Sequence, residues 1–423
     1  MKPTSFPRLL ALSLVLLSPA VARADGDTTA QSPETASKPD TFEDARLAPE
    51  QSELLDLAFR AASAMPTLPH AKNRARAQEE VAQTALDLEA PARALDYVEQ
   101  IDNWRRAAGL AECAVFAAEH GQNKLARELI ERARARMLAT AESPSALEPV
   151  QDWMVDRTKA ALARAYHRMG ESEEARNLAR GIGDADALTL REAWVETLAD
   201  GDFDSEFRAI EAGATSREID PVRFALHSAV GLHARFYADP KRREMLEAVV
   251  RDNWSVVPLA IRIDLLIQLA DGARTNGDNG RSLILLAEAR EHFDAARWLV
   301  QDRLPVLARF AVARHQSGAV EAAHSDGVAA HELALESIAT VVDVFRAAAL
   351  RPLAEAFAEM GDVERARQVY ALAIEHGLVN PNSRPRAQDL VATACSLARH
   401  PAIAGVALMV KLREAFGGLG DPW

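Results

Sequence analysis

The sequence predicts an all-α fold made of helical hairpins that stack one after another. In the stretch 345–377, apolar residues recur at helical spacing on both sides of Gly361-Asp362, which is typical of two antiparallel helices joined by a short turn. Degraded copies of this unit recur along most of the chain. Aromatic residues make up only 5% of the sequence, and alanines are abundant, so helices can approach closely. No part of the pattern suggests a sheet.

The unit 345–377 explains why such hairpins must stack. Gly361 suits the left-handed end of a helix, and Asp362 can cap the helix that follows. The apolar stripes of its two helices consist of Leu350, Leu353, Ala354, Phe357, Ala366, Tyr370 and Ala373. A single hairpin cannot bury both of its apolar faces, so each unit needs a neighbour to cover it.

These seven stripe residues and the Gly-acid turn resemble a tetratricopeptide repeat, because they fall where that family places its packing residues. The resemblance implies a right-handed α-solenoid. It also implies that protein or peptide partners bind to a concave groove lined by the first helix of each hairpin. The family has no shared chemistry, so the resemblance identifies a shape.

The beginning of the chain has the order of a secretory signal peptide. Lys2 and Arg8 precede the apolar run 9–17, and Ala22-Arg23-Ala24 supplies a small-x-small cleavage site before Asp25. We therefore expect residues 1–24 to direct export to the periplasm or out of the cell, without a choice between the two. Nine apolar residues are too few to span a bilayer, and no later stretch is long and apolar enough.

Three regions follow from this pattern. After the signal peptide, residues 25–50 are polar, contain three prolines and are expected to be a disordered linker. Residues 51–423 are expected to form the solenoid of about nine hairpins, as an elongated array whose end units present a polar face to water. A leading helix is expected at 54–64, and the hairpins at 76–101, 107–137, 157–182, 188–212, 222–250, 261–293, 304–335, 345–377 and 387–416.

Charge and cysteine content limit the function. Loss of residues 1–24 removes three cations and no carboxylate, so the formal charge changes from −13 to −16. This excess argues against non-specific nucleic-acid binding. The two cysteines, Cys113 and Cys395, lie on apolar stripes of repeats far apart in the chain. We expect buried thiols without a disulfide.

Three groups of charged side chains are candidates for binding a partner. The groove-facing positions of the resembled family correspond to Arg157, Arg164, His167 and Arg168 in one first helix and to Asp264, Asp271 and Arg274 in a later one. The alternative without a partner is a solvated helix face, on which the residues of the first of these helices pair with Glu171, Glu173 and Glu174. In the irregular loop 380–386, Arg384 and Arg386 can dock a carboxylate, whereas Ser383 can simply cap the next helix.

A calcium site is the one metal question that the sequence leaves open. Asp200, Asp202 and Asp204 alternate as in the opening of a calcium loop, and Glu211 lies at the distance of its closing ligand. Ser205 stands where that loop needs glycine, so turn and cap formation is the simpler role. No catalytic or cofactor motif is evident, and we expect no cofactor and no resident metal.

The sequence therefore indicates an exported binding or scaffolding protein rather than an enzyme, with a protein or peptide as its partner. One alternative is an enzyme or accessory subunit whose site is assembled in the groove, which predicts a deep pocket with converging titratable groups. Another is a small-ligand or glycan binder that uses groove aromatics such as Tyr166 and Trp194.

Overall fold

A computed structural model describes residues 41–142, 151–183, 190–191, 193–195 and 197–423. All regular elements in these ranges are helical and none is a strand, which confirms the all-α prediction. The helices are α1 (Pro49–Ala64), α2 (Thr67–Asp87), α3 (Pro91–Glu99), α4 (Arg105–Glu119), α5 (Asn123–Glu142), α6 (Asp152–Arg168), α7 (Ser172–Ala179), α8 (Phe203–Ala214), α9 (Ile219–Arg235), α10 (Pro240–Asn253), α11 (Leu259–Thr275), α12 (Asn279–Asp294), α13 (Val300–Gln316), α14 (Val320–Ser337), α15 (Asp343–Glu359), α16 (Val363–Gly377), α17 (Ser383–Arg399) and α18 (Val406–Gly417). The expected signal peptide and residues 25–40 lie outside the described residues.

Each hairpin consists of a first helix and the second helix that follows it in the chain. The pairs α2/α3, α4/α5, α6/α7, α9/α10, α11/α12, α13/α14 and α15/α16 pack closely, and α8 packs on α9 of the next hairpin. First helices of successive hairpins also contact each other, as α4 does with α6 and α13 with α15. Buried apolar residues from almost all helices belong to one continuous core. The predicted stacking of hairpins is therefore confirmed.

The turn inside a hairpin follows the chemistry that the sequence predicts. Gly361 has φ of +78°, a conformation that an L-residue adopts only with strain. The Asp362 side chain then accepts a hydrogen bond from Arg365 N at 3.2 Å, which caps α16. Gly277 and Asp278 repeat this arrangement before α12. The Gly-acid pairs therefore end one helix and begin the next.

Two edges result from the alternating direction of the helices. The glycine turns within hairpins lie on one edge, here called the turn edge. The connections from each second helix to the next first helix lie on the other, here called the loop edge. On the loop edge, Arg262 donates from Nε to Val257 O and from Nη2 to Ser255 O, both at 2.9 Å. Arg346 makes the corresponding bonds to Val341 O and Ala339 O at 2.8 and 2.9 Å, so carbonyls left free after the second helix find donors.

The expected array with separate end units is wrong, because the first and last helices of the described part of the chain pack together. The closest partner of α17 is α1, and α17 also contacts α2. Gln51 of α1 donates from Nε2 to Ala398 O of α17 at 2.9 Å, across 347 residues of sequence. The ninth hairpin therefore combines the first and last parts of the chain. The expected pairing of α17 with α18 is only a minor contact, and the end units cover each other instead of facing water.

The expected disordered linker ends earlier than residue 50. The Phe42 ring packs edge-on against Phe116 of α4 with centroids 6.0 Å apart. Asp44 Oδ1 accepts hydrogen bonds from Ala92 N at 2.7 Å and Arg93 N at 3.3 Å, so it caps α3 from outside that helix. Residues 42–48 are therefore part of the folded protein, and α1 begins at Pro49.

Both cysteines are buried and form no disulfide, as expected. Burial raises the pKa of each thiol, Cys113 and Cys395 alike, to about 12. Among the described helices, none has the length and apolar character that a bilayer-spanning segment requires.

The packing of Tyr370 provides a test of the hairpin register. Its side chain is fully buried, and its hydroxyl lies 2.6 Å from Ser396 Oγ on α17. We expect Tyr370→Ala to lower the free energy of unfolding by ~3–5 kcal/mol, because it leaves a cavity between hairpins. Tyr370→Phe keeps the ring and should cost only ~1 kcal/mol. Urea denaturation measures both; equal losses would contradict the cavity argument.

The external cap on α3 gives a second stability prediction. Asp44→Ala should lower the free energy of unfolding by ~0.5–2 kcal/mol, because two backbone N–H groups lose their acceptor. Glu43→Ala is the matched control, since Glu43 is an exposed neighbouring carboxylate for which no contact is found. Similar values for the two variants in thermal or urea unfolding would show that the cap contributes nothing.

Candidate functional site

Arginine–carboxylate pairs link first helices of different hairpins, and four of the nine predicted partner-binding residues belong to them. We call the side of the first helices that carries these pairs the first-helix face. Arg309 of α13 pairs with Asp264 of α11 at 2.5 Å, and Arg351 of α15 pairs with Asp389 of α17 at 3.3 Å. The pairs therefore hold hairpin to hairpin.

In α6, each predicted arginine reaches back to an earlier first helix. Arg164 pairs with Glu112 at 2.5 Å, and Arg168 pairs with Glu119 at 3.0 Å, both on α4. Arg157 reaches Glu79 on α2 at 2.9 Å. The expected pairing of these arginines with Glu171, Glu173 and Glu174 is therefore wrong. The preceding hairpins supply the carboxylates.

The remaining α6 residue, His167, lies toward the following hairpin. Its Nε2 is 2.9 Å from Thr197 Oγ1, and its ring meets that of Trp194 at an angle of 62° with centroids 6.2 Å apart. The four predicted residues of α6 therefore do not converge on one point, and each already has a partner within the chain.

The predicted residues of α11 are divided between two kinds of contact. Asp264 accepts from Arg309 and also from Gln268 Nε2 at 2.7 Å. Asp271 and Arg274 pair with each other along the helix at 2.6 Å. On α9, burial lowers the pKa of His227, an effect opposed by Asp264 and Gln268. The charged groups on this part of the first-helix face are therefore neutralised by partners within the chain.

The predicted irregular loop 380–386 is shorter than expected, because α17 begins at Ser383 and its first turn contains Arg384 and Arg386. These two arginines differ from those of α6, because neither has an acidic partner among the described residues. Arg384 donates to Gln388 Oε1 at 3.2 Å and Arg386 to Ser383 Oγ at 2.6 Å, and neither forms an ion pair with a described carboxylate. The capping role expected for Ser383 is wrong. Its Oγ accepts from Gly420 N at 2.9 Å, so it fastens the C-terminal segment instead. Arg384 and Arg386 remain available to a carboxylate from outside.

Sequence reasoning missed Glu80 of α2, whose exposed side chain lies near arginines of distant helices. Glu80 of α2 forms no hydrogen bond through its side chain and no ion pair with any described residue, although it lies near Arg351 and Arg399. Its pKa is raised because surrounding protein desolvates it, and these two arginines and Arg76 oppose that shift. The sequence shows that Glu80 lies one helical turn after Arg76. It does not show that residues of α15 and α17 come close to Glu80.

Exposed apolar side chains are concentrated on the loop edge. Of the sixteen large hydrophobic side chains that are exposed in the described ranges, four lie elsewhere: Ile284, Val320, Val406 and Val410. The other twelve lie within five residues of a connection on the loop edge: Leu68, Leu138, Trp153, Ile219, Val256, Leu299, Leu335, Val342, Val344, Phe345, Leu378 and Val379. An asymmetry of this kind marks an interaction surface more often than scattered exposure does.

A recess of about 600 Å³ lies beside α1, and both of its carboxylates are already paired. It is lined by Glu53, Asp56, Phe59 and Arg60. Glu53 pairs with Arg413 of α18 at 2.6 Å. Asp56 pairs with Arg93 at 3.1 Å and accepts from the Tyr97 hydroxyl at 2.8 Å. Converging free titratable groups, which the enzyme alternative predicts, are therefore not found in this recess.

The segment considered for calcium forms a helix start. Asp200–Asp202 is a 3₁₀ turn, and Phe203–Ala214 is α8, so Glu211 lies inside a helix rather than at the end of a loop. Asp200 lies 3.6 Å from Arg242. Across the described ranges, no three His, Cys, Asp or Glu side chains come together as a metal site would need.

The two aromatic residues proposed for a glycan site do not form an exposed platform. Tyr166 is buried, and the Arg134 guanidinium lies over its ring at 5.3 Å. Trp194 is half-buried against His167. Flat, exposed rings on the first-helix face, which the glycan alternative requires, are therefore not provided by this pair.

The shared carboxylate Glu79 tests whether the ion pairs contribute to stability. Glu79 accepts from both Arg105 and Arg157, and its side chain is only 15% exposed. We expect Glu79→Gln to lower the free energy of unfolding by ~1–3 kcal/mol, because two guanidinium groups lose their counter-charge. Glu119→Gln is the control, since Glu119 is 42% exposed and should contribute less than ~1 kcal/mol. Urea denaturation compares them, and a smaller loss for Glu79→Gln would refute the ranking.

Comparison with known proteins assigns neither a family nor a function to this chain. No protein-family model matches the chain. No curated protein matches it significantly either. The tetratricopeptide resemblance therefore rests on the packing residues and turns themselves.

Proposed function

We propose that this chain is an exported, tetratricopeptide-like right-handed α-solenoid that binds or scaffolds a protein or peptide partner. The signal-peptide pattern of residues 1–24 supports delivery to the periplasm or the exterior. The Gly-acid turns and the apolar stripes shared between hairpins support the family relationship. Binding of a partner is the role that such a fold supports without a catalytic site.

The observation that carries the proposal is the concentration of exposed apolar side chains on the loop edge. They are densest in the connections before α13, α15 and α17. There, Leu299, Val342 and Phe345 are 64%, 61% and 51% exposed, and Leu378 and Val379 follow in the next connection. Burial of such side chains against a partner is favourable by roughly 25 cal/mol per Å² of apolar surface. This patch, here called the apolar patch, is our proposed contact surface.

The charge distribution supports the apolar patch, rather than the first-helix face, as the contact surface. The arginines of α6 would have to leave Glu79, Glu112 and Glu119 before they could bind an external group. Arg384 and Arg386 form no ion pair with a described carboxylate and lie in the first turn of α17, directly after the connection that carries Val379. We therefore propose a polypeptide segment whose apolar side chains contact the patch and whose carboxylates meet these two arginines.

Site-specific photo-crosslinking tests this assignment. A photoreactive residue is placed at Phe345 in one variant and at Ile284 in another, because Ile284 on α12 is 58% exposed and lies away from the loop edge. The full mature chain is then irradiated in its own envelope extract. We expect a discrete crosslinked polypeptide at Phe345 and none at Ile284, with the attached peptide identified by mass spectrometry.

The identified peptide is then synthesised and its affinity for the chain measured by fluorescence anisotropy. Phe345→Ser with Val379→Ser should weaken binding at least tenfold, and Arg384→Gln with Arg386→Gln should weaken it when the peptide carries carboxylates. Ile284→Ser should leave affinity unchanged. Equal crosslinking at Phe345 and Ile284 would reject the loop edge as the binding surface. So would an unchanged peptide affinity in the variants of the apolar patch.

A further inference from the structure

Two Asn-Gly pairs lie three residues apart on the turn edge, where α11 ends and α12 begins. Asn276-Gly277 follows the last residue of α11, and Asn279-Gly280 opens α12. The side-chain amide of an asparagine is open to attack by the next backbone nitrogen when glycine follows, because glycine has no Cβ in the way. All four residues are exposed. The two pairs therefore differ mainly in how the fold restrains them.

The first pair, Asn276-Gly277, is held by hydrogen bonds on both reacting groups. Asn276 Nδ2 donates to Ala234 O at 3.0 Å and to Gly272 O at 2.8 Å. Gly277 N, the atom that would attack Asn276 Cγ, donates to Arg274 O at 2.8 Å. These bonds have to break before the two groups can meet, so the fold protects this pair.

The second pair, Asn279-Gly280, lacks such restraints. No hydrogen bond from the Asn279 side chain or from Gly280 N is found among the described residues. The first N–H groups of a helix have no carbonyl partner within it, and the Asp278 cap takes Arg281 N at 2.9 Å instead of Gly280 N. Glycine is also a poor helix former. Attack requires Asn279 to leave the helical conformation, and only this first turn has to open for that.

We propose that Asn279 is a site of spontaneous covalent modification, namely deamidation through a succinimide. Gly280 N bonds to Asn279 Cγ, the bond from Cγ to Nδ2 breaks, and ammonia leaves with the proton of the Gly280 amide. Water, the only co-reactant, then opens the ring at either carbonyl. One opening gives an aspartyl residue, and the other gives an isoaspartyl residue whose main chain runs through Cγ. This inference does not depend on the proposed partner or on the apolar patch.

The isoaspartyl product alters the start of α12, because it adds one carbon to the main chain after Asp278. Two hydrogen bonds span that point: Arg281 N donates to Asp278 Oδ1 at 2.9 Å, and Ser282 N donates to Asp278 O at 3.0 Å. Asp278 Oδ2 also accepts from the Tyr237 hydroxyl of the preceding hairpin at 2.8 Å. The modification therefore loosens the cap of α12 together with its tie to that hairpin.

Tryptic mapping of the full mature chain tests the site, because Arg274 and Arg281 place both asparagines in one peptide, 275–281. The folded chain is incubated in mildly alkaline buffer, and mass spectrometry with fragmentation locates the converted residue. We expect Asn279 to be converted at least about tenfold faster than Asn276. In the urea-unfolded chain the two rates should lie within about threefold of each other, because the bonds that protect Asn276 are gone. Conversion of Asn276 as fast as Asn279 in the folded chain would overturn the proposal.

Gly280→Ala is the matched variant. An added Cβ would lie 3.7 Å from Asp278 Oδ1, which is ordinary contact, and alanine favours the helix. It should slow the conversion of Asn279 at least about tenfold and leave Asn276 within about twofold. An unchanged rate at Asn279 in this variant would refute the succinimide route and the proposal with it.

Thermal unfolding of the separated products tests the structural consequence. The isoaspartyl form should melt at a lower temperature than the unmodified chain, because the bonds to Asp278 are disturbed. Asn279→Asp is the control for charge alone, since it adds a carboxylate at a helix N-terminus without lengthening the main chain, and it should not lower the melting temperature. Equal melting of the isoaspartyl form and this variant would contradict the loosening of α12.

Discussion

Apolar side chains shared between neighbouring hairpins hold the described part of this protein together, and the pairing of α1 with α17 extends that sharing to its first and last hairpins. A single hairpin of this kind has an apolar face that it cannot cover itself. In an array with separate ends, two such faces would need a polar surface or a cap. Here each end covers the other, so the buried residues from almost the whole described chain belong to one core.

Polar contacts between first helices complement this core and limit what the same surface can bind. Arg164, Arg309 and Arg351 each find a carboxylate on another first helix. Such pairs fix the register of adjacent hairpins, and they also neutralise the face that related-looking solenoids use for peptides. Among the described residues, Glu80 forms no ion pair with a cation, and Arg384 and Arg386 at the loop edge form none with a carboxylate. Exposed apolar side chains also lie at that edge, which is why the proposed contact surface is there.

Local features of this fold could be predicted from the sequence, whereas contacts between distant segments could not. The stripe around Tyr370 and the turn at Gly361-Asp362 depend on residues three or four positions apart, so helical periodicity and turn chemistry identify them. The partner of Arg164 is 52 residues away, and the partner of α17 lies near the start of the chain. Charge spacing along α6 pointed to Glu171, Glu173 and Glu174 only because these residues are near in sequence. The ion-pair partners and the neighbours of Glu80 depend on how hairpins that are distant in sequence pack together, which no local pattern encodes.

The pairing of α1 with α17 has a consequence for the order of events during synthesis. The ribosome makes α1 among the first folded segments, yet the helix that covers it follows about 347 residues later. At typical elongation rates of ~5–20 residues per second, that interval is roughly 20–70 s. Leu54, Leu55 and Ala58 have no complete burial site during this time. A nascent chain therefore exposes the apolar side of α1 until α17 has been made, and a holdase that binds amphipathic helices is the kind of factor suited to shield it.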